Sequence, residues 1–532
     1  MGQRIAGALT LSLAVALIQG CGGGGGEGSS AAVSGMSGQG TAWVAGVFPP
    51  SSSFAERCVS PRSGTDPSTG ERYADVQGTL LQENNWLRSW SNELYLWYSE
   101  IVDQNPASFS TTDAYFQVLK TTASTPSGRA KDRFHFSYDT PTWEALSSSD
   151  VDVDYGAYFE LVSPTVPRHA VVAYIQPGTA AAAAGLARGA TVLTVDGVGI
   201  NDNTTNGIAT LNAGLFPSNV GESHTFSIQD TPSSTPRTVT LTAADVTYNP
   251  VPITKTLTAS DGGTVGYILF NDQLASAEAA MDNAFSAMKA AAVSDLVLDL
   301  RYNGGGFLDI ASEVAYEIGG AVTAGQVFEK QQFNSKYPNT DPVQGGTIQP
   351  VTFHTTTQGI SSGLAAGLAL PTLNLKRVFV LTGADTCSAS EAIINALRGV
   401  NVQVIQIGSV TCGKPYGFYP QDNCGTTYFS IEFSDVNAQG FGSYADGFGP
   451  QNSGNPYAVS VPGCSVADDF NDALGSAGEG RLAAALNYRI NGTCPVATGI
   501  GTVSTLSEPQ PEAEYGSTPL ERPPWRQLEL RR

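Results

Sequence analysis

Apolar residues recur at helical spacing in the first third of the chain. Trp86, Trp90 and Trp97 fall on one face of a single predicted helix, a pattern typical of a helix packed on a core. A second helix is predicted after residues 110–113, a run of good N-cap residues. We therefore predict a helical N-terminal region over residues 58–150.

Short strands replace the helical pattern from residue 151 onward. Residues 171–175 predict a buried strand, and Asp196-Gly197 is a turn signal at the end of another. A short alanine-rich helix and a second helix around Leu211 separate the strands. This order of elements predicts a β-rich domain over residues 151–248.

Strands and helices alternate in the next part of the chain. The predicted strands are almost wholly apolar, which is typical of strands covered by helices on both faces of a sheet. They occupy residues 265–270, 296–300, 377–382 and 402–407. The pattern predicts an α/β core over residues 249–494. The proline-, glutamate- and serine-rich tail over residues 495–532 is predicted to be disordered.

The first 57 residues have the composition of a targeting segment and a tether. A basic residue precedes an apolar run over residues 5–18, which is too short to span a membrane and is typical of a signal peptide. Residues 18–21 resemble a bacterial lipobox, with a small residue before Cys21. We predict a signal peptide over residues 1–20, lipidation of Cys21 and a glycine- and serine-rich tether over residues 21–57.

Two alternatives remain for this segment, an ordinary cleavable signal peptide and a buried apolar helix. No other run of the sequence is long and apolar enough to span a membrane, so membrane contact is expected only through the N-terminal lipid. The lipobox interpretation predicts a lipid-anchored protein of the bacterial cell envelope, on the periplasmic or the surface face of the outer membrane.

Charge and cysteine usage exclude several classes of function. The formal net charge is −21, so the chain repels nucleic acid and nucleic-acid binding is not expected. Without Cys21 the seven cysteines leave an even number, which indicates disulfides in an oxidising compartment. The sequence has no Cys-x-x-Cys spacing and its four histidines are dispersed, so neither a metal site nor a cofactor is expected.

Three consecutive glycines, residues 304–306, follow the predicted strand that ends at Leu300. Glycines let backbone N–H groups converge, and α/β proteins bind ligands at this end of the sheet. Such a loop can form an oxyanion hole. A phosphate-binding loop lacks support because no Gly-Lys-Ser/Thr follows, and a plain tight turn is the simplest alternative.

Ser388 lies between the predicted strand over residues 377–382 and a helix. At that position the helix dipole and the free N–H groups of the first turn favour developing negative charge. The sequence therefore makes Ser388 a candidate nucleophile. The alternative is that Ser388 and Glu391 only cap the helix.

A serine nucleophile needs a base, and no histidine follows His354. Lys414 follows the next predicted strand, and a βαβ arrangement brings its loop to the same edge of the sheet as Ser388. Desolvation can lower the pKa of a buried lysine from about 10.4 toward neutrality. The alternative for Lys414 is a surface position in a salt bridge.

Taken together, three motifs resemble those of the C-terminal-processing (tail-specific) serine peptidases. They are DLRYNGGG over residues 299–306, TCSASE over residues 386–391 and GKP over residues 413–415. The resemblance covers residues 77–491 and implies a crotonase-like (ClpP/crotonase) α/β peptidase core with an inserted PDZ-like β-rich domain and a helical N-terminal region. The implied function is a serine endopeptidase that uses a Ser-Lys dyad and an acyl-enzyme, without metal or cofactor.

The resemblance also implies roles for individual residues. Ser388 is the nucleophile, and Lys414 in its uncharged form is the general base. The backbone N–H groups of Ala389 and Gly305 would bind the oxyanion. Gly305 is preferred to Gly304 because relatives can carry proline at the latter position, and proline has no N–H.

One position departs from the family pattern. Many relatives carry a glutamine four residues after the lysine to orient it, and here that residue is Phe418. Another group must therefore orient Lys414, and the candidates are Ser390 and a backbone carbonyl.

The cysteines beside the two motifs are also unusual. Cys464–Cys494 is the expected disulfide. Cys412 has two candidate partners, Cys387 and Cys424. A nucleophilic Cys387 is disfavoured because an oxidising compartment would cap it.

The β-rich domain resembles the PDZ domains of bacterial proteases in its order of elements and in the glycine–alanine pattern after its strand over residues 171–175. PDZ domains bind an extended peptide as an added strand and hold its terminal carboxylate with backbone N–H groups. By this resemblance Tyr155, Gly156 and Ala157 form the carboxylate-binding loop. The implied partners are exported polypeptides, recognised through free C-termini. The alternative is a packing module whose groove is blocked.

Two other functions remain compatible with the sequence. One is a catalytically silent peptide-binding lipoprotein that uses the PDZ-like groove, and the other is a different acyl-transfer enzyme on a crotonase-like scaffold. A silent core would not need both Ser388 and Lys414, and an enzyme acting on thioesters would not need a peptide-binding domain. The combination therefore favours the peptidase.

Overall fold

The computed structural model describes residues 43–67, 69–495, 520 and 529–530. The predicted signal peptide, Cys21 and most of the predicted tether lie outside the described residues. Among the helices within the described ranges, none is both long enough and apolar enough to cross a membrane.

The N-terminal region combines three helices with short strands. Trp86 and Trp90 stack in the first helix with ring centroids 5.2 Å apart, and they pack against Phe116 and Tyr428. Trp86 and Trp90 are therefore core as predicted, whereas Trp97 lies beyond the end of this helix at Leu94 and is only partly buried. The elements are β1 (Arg57–Cys58), β2 (Val76–Gln77), α1 (Leu80–Leu94), α2 (Thr112–Phe116), β3 (Phe136–Asp139) and α3 (Thr140–Ser149), with 3₁₀ turns at Ser51–Ser53, Tyr98–Glu100 and Pro106–Ser108.

The packed chain begins earlier than the sequence predicted. Buried Arg88 of α1 donates hydrogen bonds to the carbonyl groups of Val44 and Val47, at 3.1 and 2.9 Å. The N–H of Ser51 donates to Glu93 at 2.8 Å. These polar groups need partners once they are buried, so the last part of the predicted tether is bound to the helix.

Residues 151–247 form a unit of mostly antiparallel strands with two helices, here called the β unit. Its main sheet has the order β10-β9-β7-β6-β5, with β8 paired to β7, and a separate ribbon joins β4 to β11. β5 lies at the edge of the main sheet. The elements are β4 (Val151–Asp154), β5 (Ala157–Ser163), β6 (His169–Ile175), α4 (Ala180–Ala183), β7 (Thr191–Val195), β8 (Val198–Gly199), α5 (Thr205–Leu215), β9 (Ser223–Gln229), β10 (Arg237–Thr242) and β11 (Ala244–Thr247).

The α/β core is built on a six-stranded sheet of order β12-β13-β14-β18-β19-β26. β12 is antiparallel to β13, and the other neighbours are parallel. The sheet strands and their helices are β12 (Ile253–Thr258), β13 (Thr264–Leu269), α6 (Ala277–Ala290), β14 (Asp295–Asp299), α7 (Leu308–Gly319), β18 (Arg377–Thr382), α8 (Ala389–Gly399), β19 (Gln403–Gly408), β26 (Gly463–Ser465) and α9 (Gly480–Asn491).

Both faces of this sheet are covered, as the apolar strands predicted. Leu298 and Val380 point into the cluster formed with α6, α7 and α8. Their neighbours Val297 and Phe379 point into a second cluster that contains Leu482 of α9. The parallel strands β14, β18 and β19 end side by side, so the loops that follow them share one edge of the sheet.

Smaller strands cover this edge and connect it to the N-terminal region. β22 pairs with β3, and β23 lies between β16 and β20. They are β15 (Gly306–Phe307), β16 (Val327–Phe333), β17 (Val351–Thr352), β20 (Tyr416–Gly417), β21 (Gln421–Asn423), β22 (Thr426–Phe429), β23 (Phe433–Val436), β24 (Phe448–Pro450) and β25 (Val459–Val461), with a 3₁₀ turn at Gly320–Val322.

The tail that the sequence predicts to be disordered contains two described parts. Leu520 is buried, with 3% relative exposure. β27 (Glu529–Leu530) pairs in parallel with β15. The prediction of disorder therefore does not hold for these residues, because they make packing and backbone contacts with the folded protein.

Candidate active site

Ser388 occupies a strained turn between a core strand and a helix. β18 ends at Thr382 and α8 begins at Ala389, with Ser388 as the N-cap residue. Ser388 has φ 60° and ψ −120°, a conformation that residues other than glycine rarely adopt and that costs about 1–3 kcal/mol. Serine nucleophiles of hydrolases use such a turn to present their hydroxyl group.

Hydrogen bonds fix the loop before this serine against the end of β14. The hydroxyl group of Thr386 donates to the carbonyl of Leu300 at 2.7 Å. The N–H of Cys387 donates to the carbonyl of Asn303 at 3.1 Å. These hydrogen bonds hold the nucleophile loop (residues 383–388) beside the glycine loop (residues 303–306).

Lys414 is fully buried between two aromatic rings. Its Nζ lies 4.1 Å from the centre of the Phe418 ring and 5.1 Å from the centre of the Phe134 ring. Phe418 stands where the family pattern has glutamine, so a ring face contacts the amine at this position. Desolvation favours the neutral amine, whereas the ring faces attract the ammonium form.

One carboxylate joins the loops of Ser388 and Lys414. Oε2 of Glu391 accepts the N–H of Ser388 at 3.1 Å and the N–H of Lys414 at 2.8 Å. Oε1 accepts the N–H of Gly413 at 2.8 Å and the hydroxyl group of Thr411. Burial raises the pKa of Glu391, and these four hydrogen bonds oppose that shift.

A disulfide adds a covalent link between the same loops. Cys387, the residue before Ser388, is bonded to Cys412, two residues before Lys414. The N–H of Cys412 also donates to the carbonyl of Thr386 at 3.0 Å. The disulfide and this hydrogen bond therefore both keep the nucleophile loop close to the base loop (residues 409–415).

The structure settles the pairing that the sequence left open. Cys412 pairs with Cys387, and Cys424 pairs with Cys58 across 366 residues of sequence. The Cys58–Cys424 bond joins the N-terminal region to the core. Cys464 pairs with Cys494, the disulfide expected from the sequence.

Two arginines of the N-terminal region bind the base loop. Arg129 donates to the carbonyl of Cys412 at 3.0 Å, and Arg133 donates to the same carbonyl. Arg133 also lies over the ring of Phe134, which Lys414 contacts. Desolvation, and then the charge of Arg129, lower the pKa of Arg133 to about 9.

The glycine loop is fixed by buried amide side chains. The N–H of Gly305, a predicted oxyanion donor, donates to Oδ1 of Asn303 at 2.9 Å. Gly306 has φ 137°, and a Cβ there would lie 2.4 Å from the carbonyl oxygen of Gln273, so only glycine fits. Ala389, the other predicted donor, is the first residue of α8, where N–H groups have no partner inside the helix.

Ser390 contacts the glycine-loop side of the site. Nε2 of Gln273 donates to the hydroxyl group of Ser390 at 2.9 Å and to Oδ1 of Asn303 at 3.4 Å. One amide therefore contacts both the nucleophile helix and the glycine loop. A role for Ser390 in orienting Lys414 stays a prediction.

The loop predicted to bind a carboxylate already holds one. The N–H groups of Gly156 and Ala157 donate to Oδ1 of Asp154 at 2.6 and 3.2 Å. Tyr155 is fully buried and donates to the carbonyl of Gly214 at 3.1 Å. The backbone of this loop thus fits a carboxylate, and in this structure the chain itself supplies it.

Side-chain contacts join the β unit to the loops of the site. The hydroxyl group of Tyr158 in β5 donates to Asp385 in the nucleophile loop at 2.9 Å. Arg188 donates to the hydroxyl group of Tyr302 and to Asp468, both at 2.7 Å. Tyr302 directly precedes the glycine loop. The β unit therefore contacts the nucleophile loop at Asp385 and the residue next to the glycine loop at Tyr302.

The sequence patterns predict only a helix cap for Glu391 and no role for Arg129 or Arg133. The place of Glu391 three residues after Ser388 nevertheless puts its carboxylate beside the N–H of the N-cap residue. The sequence offers no comparable signal for the arginines, because a long-range contact brings them to the base loop.

Comparison with known proteins finds similar solved structures. The chain is similar to a solved Bacteroides fragilis NCTC 9343 protein assigned to the S41 proteases, with 22% identity, a TM-score of 0.55 and coverage of 80% of this chain and 99% of that chain. It is also similar to the photosystem II D1 C-terminal processing protease, with 18% identity, a TM-score of 0.41 and coverage of 70% and 92%. No curated protein matches.

The first of these likenesses supports a common fold. The family match covers the segment that contains both candidate catalytic residues, since residues 264–417 match the profile described as Peptidase family S41. The segment also includes the glycine loop and Glu391. Over this segment the chain is therefore similar to Peptidase family S41.

Proposed function

We propose that this chain is a serine endopeptidase of the C-terminal-processing type that hydrolyses peptide bonds in exported polypeptides. The main support for the proposal is that the backbone N–H groups of Ser388 and Lys414 both donate to one oxygen of Glu391. This carboxylate holds the backbones of the nucleophile and the base together at the carboxyl ends of the core strands. The strained φ of Ser388 supports the same role, because such strain is maintained mostly at functional sites.

In the proposed reaction, the hydroxyl oxygen of Ser388 attacks the scissile carbonyl carbon while the uncharged amine of Lys414 takes the hydroxyl proton. The resulting oxyanion accepts hydrogen bonds from Ala389 and Gly305, and each donor typically contributes about 3 kcal/mol. Collapse of the tetrahedral intermediate transfers the proton from Lys414 to the leaving amine and leaves an ester on Ser388. Water attacks this ester with Lys414 as its base and releases the acid and the free serine.

Two conditions follow for this mechanism. Lys414 must be uncharged; its complete burial favours that form, and the ring faces of Phe418 and Phe134 oppose it. The N–H of Gly305 must exchange its bond with Asn303 for a bond with the oxyanion. In the proposed transition state the oxyanion thus replaces the amide oxygen of Asn303 as the acceptor. A charged oxygen accepts a hydrogen bond more strongly than a neutral one.

The β unit is proposed to be a PDZ-like domain that presents polypeptides to the site. Its edge strand β5 can accept an extended peptide by main-chain pairing. The loop at Gly156 and Ala157 fits a carboxylate, although a substrate terminus would have to displace Asp154. The bond between Tyr158 and Asp385 gives a direct contact from β5 to the nucleophile loop.

The proposed location is the cell envelope, with Cys21 carrying the lipid. The three disulfides support an oxidising compartment, since such bonds are rare in reducing ones. The proposed partners are exported polypeptides.

The proposal is tested with an unstructured polypeptide such as casein. Ser388→Ala and Lys414→Ala should each reduce hydrolysis to background with unchanged melting temperature. Ser286→Ala and Lys289→Ala are matched controls, because both residues are exposed on α6, and these variants should keep full activity. Full activity in either dyad variant would refute the assignment, and a wild-type chain that binds peptides without cleaving them would indicate the silent peptide-binding alternative.

A further inference from the structure

The C-terminal segment of the chain contacts two places where a substrate peptide would bind. Beyond residue 495, the structure describes Leu520 and β27. Leu520 lies on the β unit, and β27 lies on the glycine loop. Both described parts of one short segment therefore meet elements of the proposed peptidase site.

Leu520 is anchored in the core of the β unit. Its side chain has 3% relative exposure and belongs to the hydrophobic cluster that includes Phe159 and Leu161 of β5. Its N–H donates to the carbonyl of Pro164, the residue directly after β5, at 3.1 Å. Edge strands such as β5 offer backbone groups to an added strand. The segment thus binds at the end of the edge that would receive a peptide.

β27 binds beside the glycine loop. Glu529 lies opposite Gly306 and Leu530 lies opposite Phe307 in a parallel ladder. β15 continues the glycine loop without interruption, and the N–H of Gly305 is one of the two proposed oxyanion donors. The tail strand therefore occupies backbone groups beside the oxyanion site, where an extended substrate would be held.

Burial and charge agree with an occupied site. The side chains of Ser388 and Lys414 have 0% relative exposure, so a substrate cannot reach them without a displacement. Residues 520–532 contain four arginines and two glutamates, whereas the whole chain has a net charge of −21. A basic segment is attracted to an acidic protein at long range.

We propose that the C-terminal part of the chain, through Leu520 and β27, is a built-in peptide ligand that takes the place of a substrate strand at β15 and keeps the peptidase inhibited. This inference rests on the proposed function. This ligand has an apolar anchor at Leu520 and a strand at β27, and a polypeptide substrate competes with it for the main-chain pairing with β15. Because the segment is tethered, its effective concentration is in the millimolar range, so a weak interaction is sufficient to hold it in place.

The test compares the full chain with a variant that ends at residue 519. The variant should hydrolyse casein with kcat/KM increased by roughly tenfold or more. A synthetic peptide of residues 520–532 should inhibit the shortened variant competitively, and the same peptide with Leu520→Asp should inhibit less. The full chain with Leu520→Asp should also be activated, which excludes a general effect of truncation. Equal kcat/KM for the two chains, with no inhibition by the peptide, would overturn the inference and leave the peptidase assignment intact.

A binding measurement separates this inference from the proposed function. The fluorescein-labelled peptide should bind to the shortened variant carrying Ser388→Ala, as measured by fluorescence anisotropy, and should bind less to the full chain. This readout requires no catalysis. Binding without hydrolysis by any variant would refute the peptidase and support the docking of the segment, whereas absence of binding would refute the docking.

Discussion

The backbone N–H groups of Ser388 and Lys414 donate to the same oxygen atom, Oε2 of Glu391, at 3.1 and 2.8 Å. Glu391 is on the first turn of α8, so the helix that follows the nucleophile also positions the base loop. The sheet brings the two loops to one edge. The carboxylate of Glu391 then fixes the position of the Ser388 backbone relative to the Lys414 backbone through hydrogen bonds. Such positioning matters because a misplacement of about 1 Å can reduce a rate about a hundredfold.

Glu391→Gln should therefore impair catalysis more than binding. The amide group can accept hydrogen bonds through only one of its two atoms, so some of the four donors around residue 391 lose their partner. We expect kcat to fall about a hundredfold, KM to change little and the free energy of unfolding to decrease by about 1–3 kcal/mol. Steady-state kinetics and urea unfolding measure these effects.

The exposed Glu71→Gln is the control for this variant and should match the wild type in both measurements. A Glu391→Gln variant that loses stability but retains kcat would show that the carboxylate has only a structural role.

The Cys387–Cys412 disulfide should contribute to activity beyond its contribution to stability. Removing a cross-link of this loop length costs about 3 kcal/mol, and here it also frees the two loops that carry the proposed dyad. Cys387→Ala combined with Cys412→Ala should lower the melting temperature and reduce kcat at least about tenfold at a temperature where the protein is folded. Casein hydrolysis and thermal unfolding are the measurements.

Cys464→Ala combined with Cys494→Ala is a matched control for the disulfide. This pair has a sequence separation of 30, compared with 25 for the pair at the site, so the stability loss should be similar. Cys464 is on β26 and Cys494 follows α9, so this bond does not join the nucleophile and base loops, and kcat should be retained. Equal losses of kcat in the two double variants would show that the effect is one of general stability.

The main features of the core were predictable because they depend on local patterns. The strand predicted over residues 377–382 is β18, and that over residues 402–407 is β19 shifted by one residue. Apolar runs between glycine and polar turns define such strands well. Parallel strands joined by a helix end at one edge of a sheet, and this rule alone brought the loops of Ser388 and Lys414 together.

Features that depend on distant partners could not be predicted. No local pattern indicates that Cys58 pairs with Cys424, or that Arg133 reaches the carbonyl of Cys412. The predicted tether was too long because its last part binds Arg88, a residue of the following helix. The contact of Leu520 with the β unit likewise arises from tertiary packing, which a compositional prediction of disorder does not include.

Asp154→Ala should increase the preference for substrates with a free C-terminal carboxylate. In this structure the side chain of Asp154 accepts the N–H groups of Gly156 and Ala157, and it would repel an incoming carboxylate. Its removal leaves two donors for the substrate, and hydrogen bonds to a charged group contribute about 1.5–3 kcal/mol. The ratio of kcat/KM for free-acid and amidated versions of one peptide should rise roughly tenfold.

The matched control for this experiment is Asp245→Ala, because Asp245 is exposed on β11 of the same unit. Its ratio should equal that of the wild type. An unchanged ratio in Asp154→Ala would indicate that the loop does not receive substrate termini.

Protonation of Glu313 should make the stability of the core depend on pH. Burial, and then the charge of Glu278, raise the pKa of Glu313 to about 9. Glu278 itself accepts N–H groups from a neighbouring loop, including those of Gln358 and Ile360 at 2.6 Å each. The raised pKa keeps the proton on Glu313 in the folded protein at neutral pH.

The sign of the pH dependence follows from proton binding in the two states. Between the unfolded pKa of 4.5 and the folded value of about 9, the folded protein holds a proton on Glu313 that the unfolded chain does not. The contribution of this group to stability is present in full below the unfolded pKa and falls by about 1.4 kcal/mol per pH unit above it. Glu313→Gln replaces the protonated carboxyl by a neutral amide of the same shape. Urea unfolding at pH 5.5 and 8.5 measures this difference. The wild type and Glu313→Gln should have similar free energies of unfolding at pH 5.5, and the free energy of the variant should decrease less at pH 8.5. Equal decreases in the two proteins would show that Glu313 ionises normally.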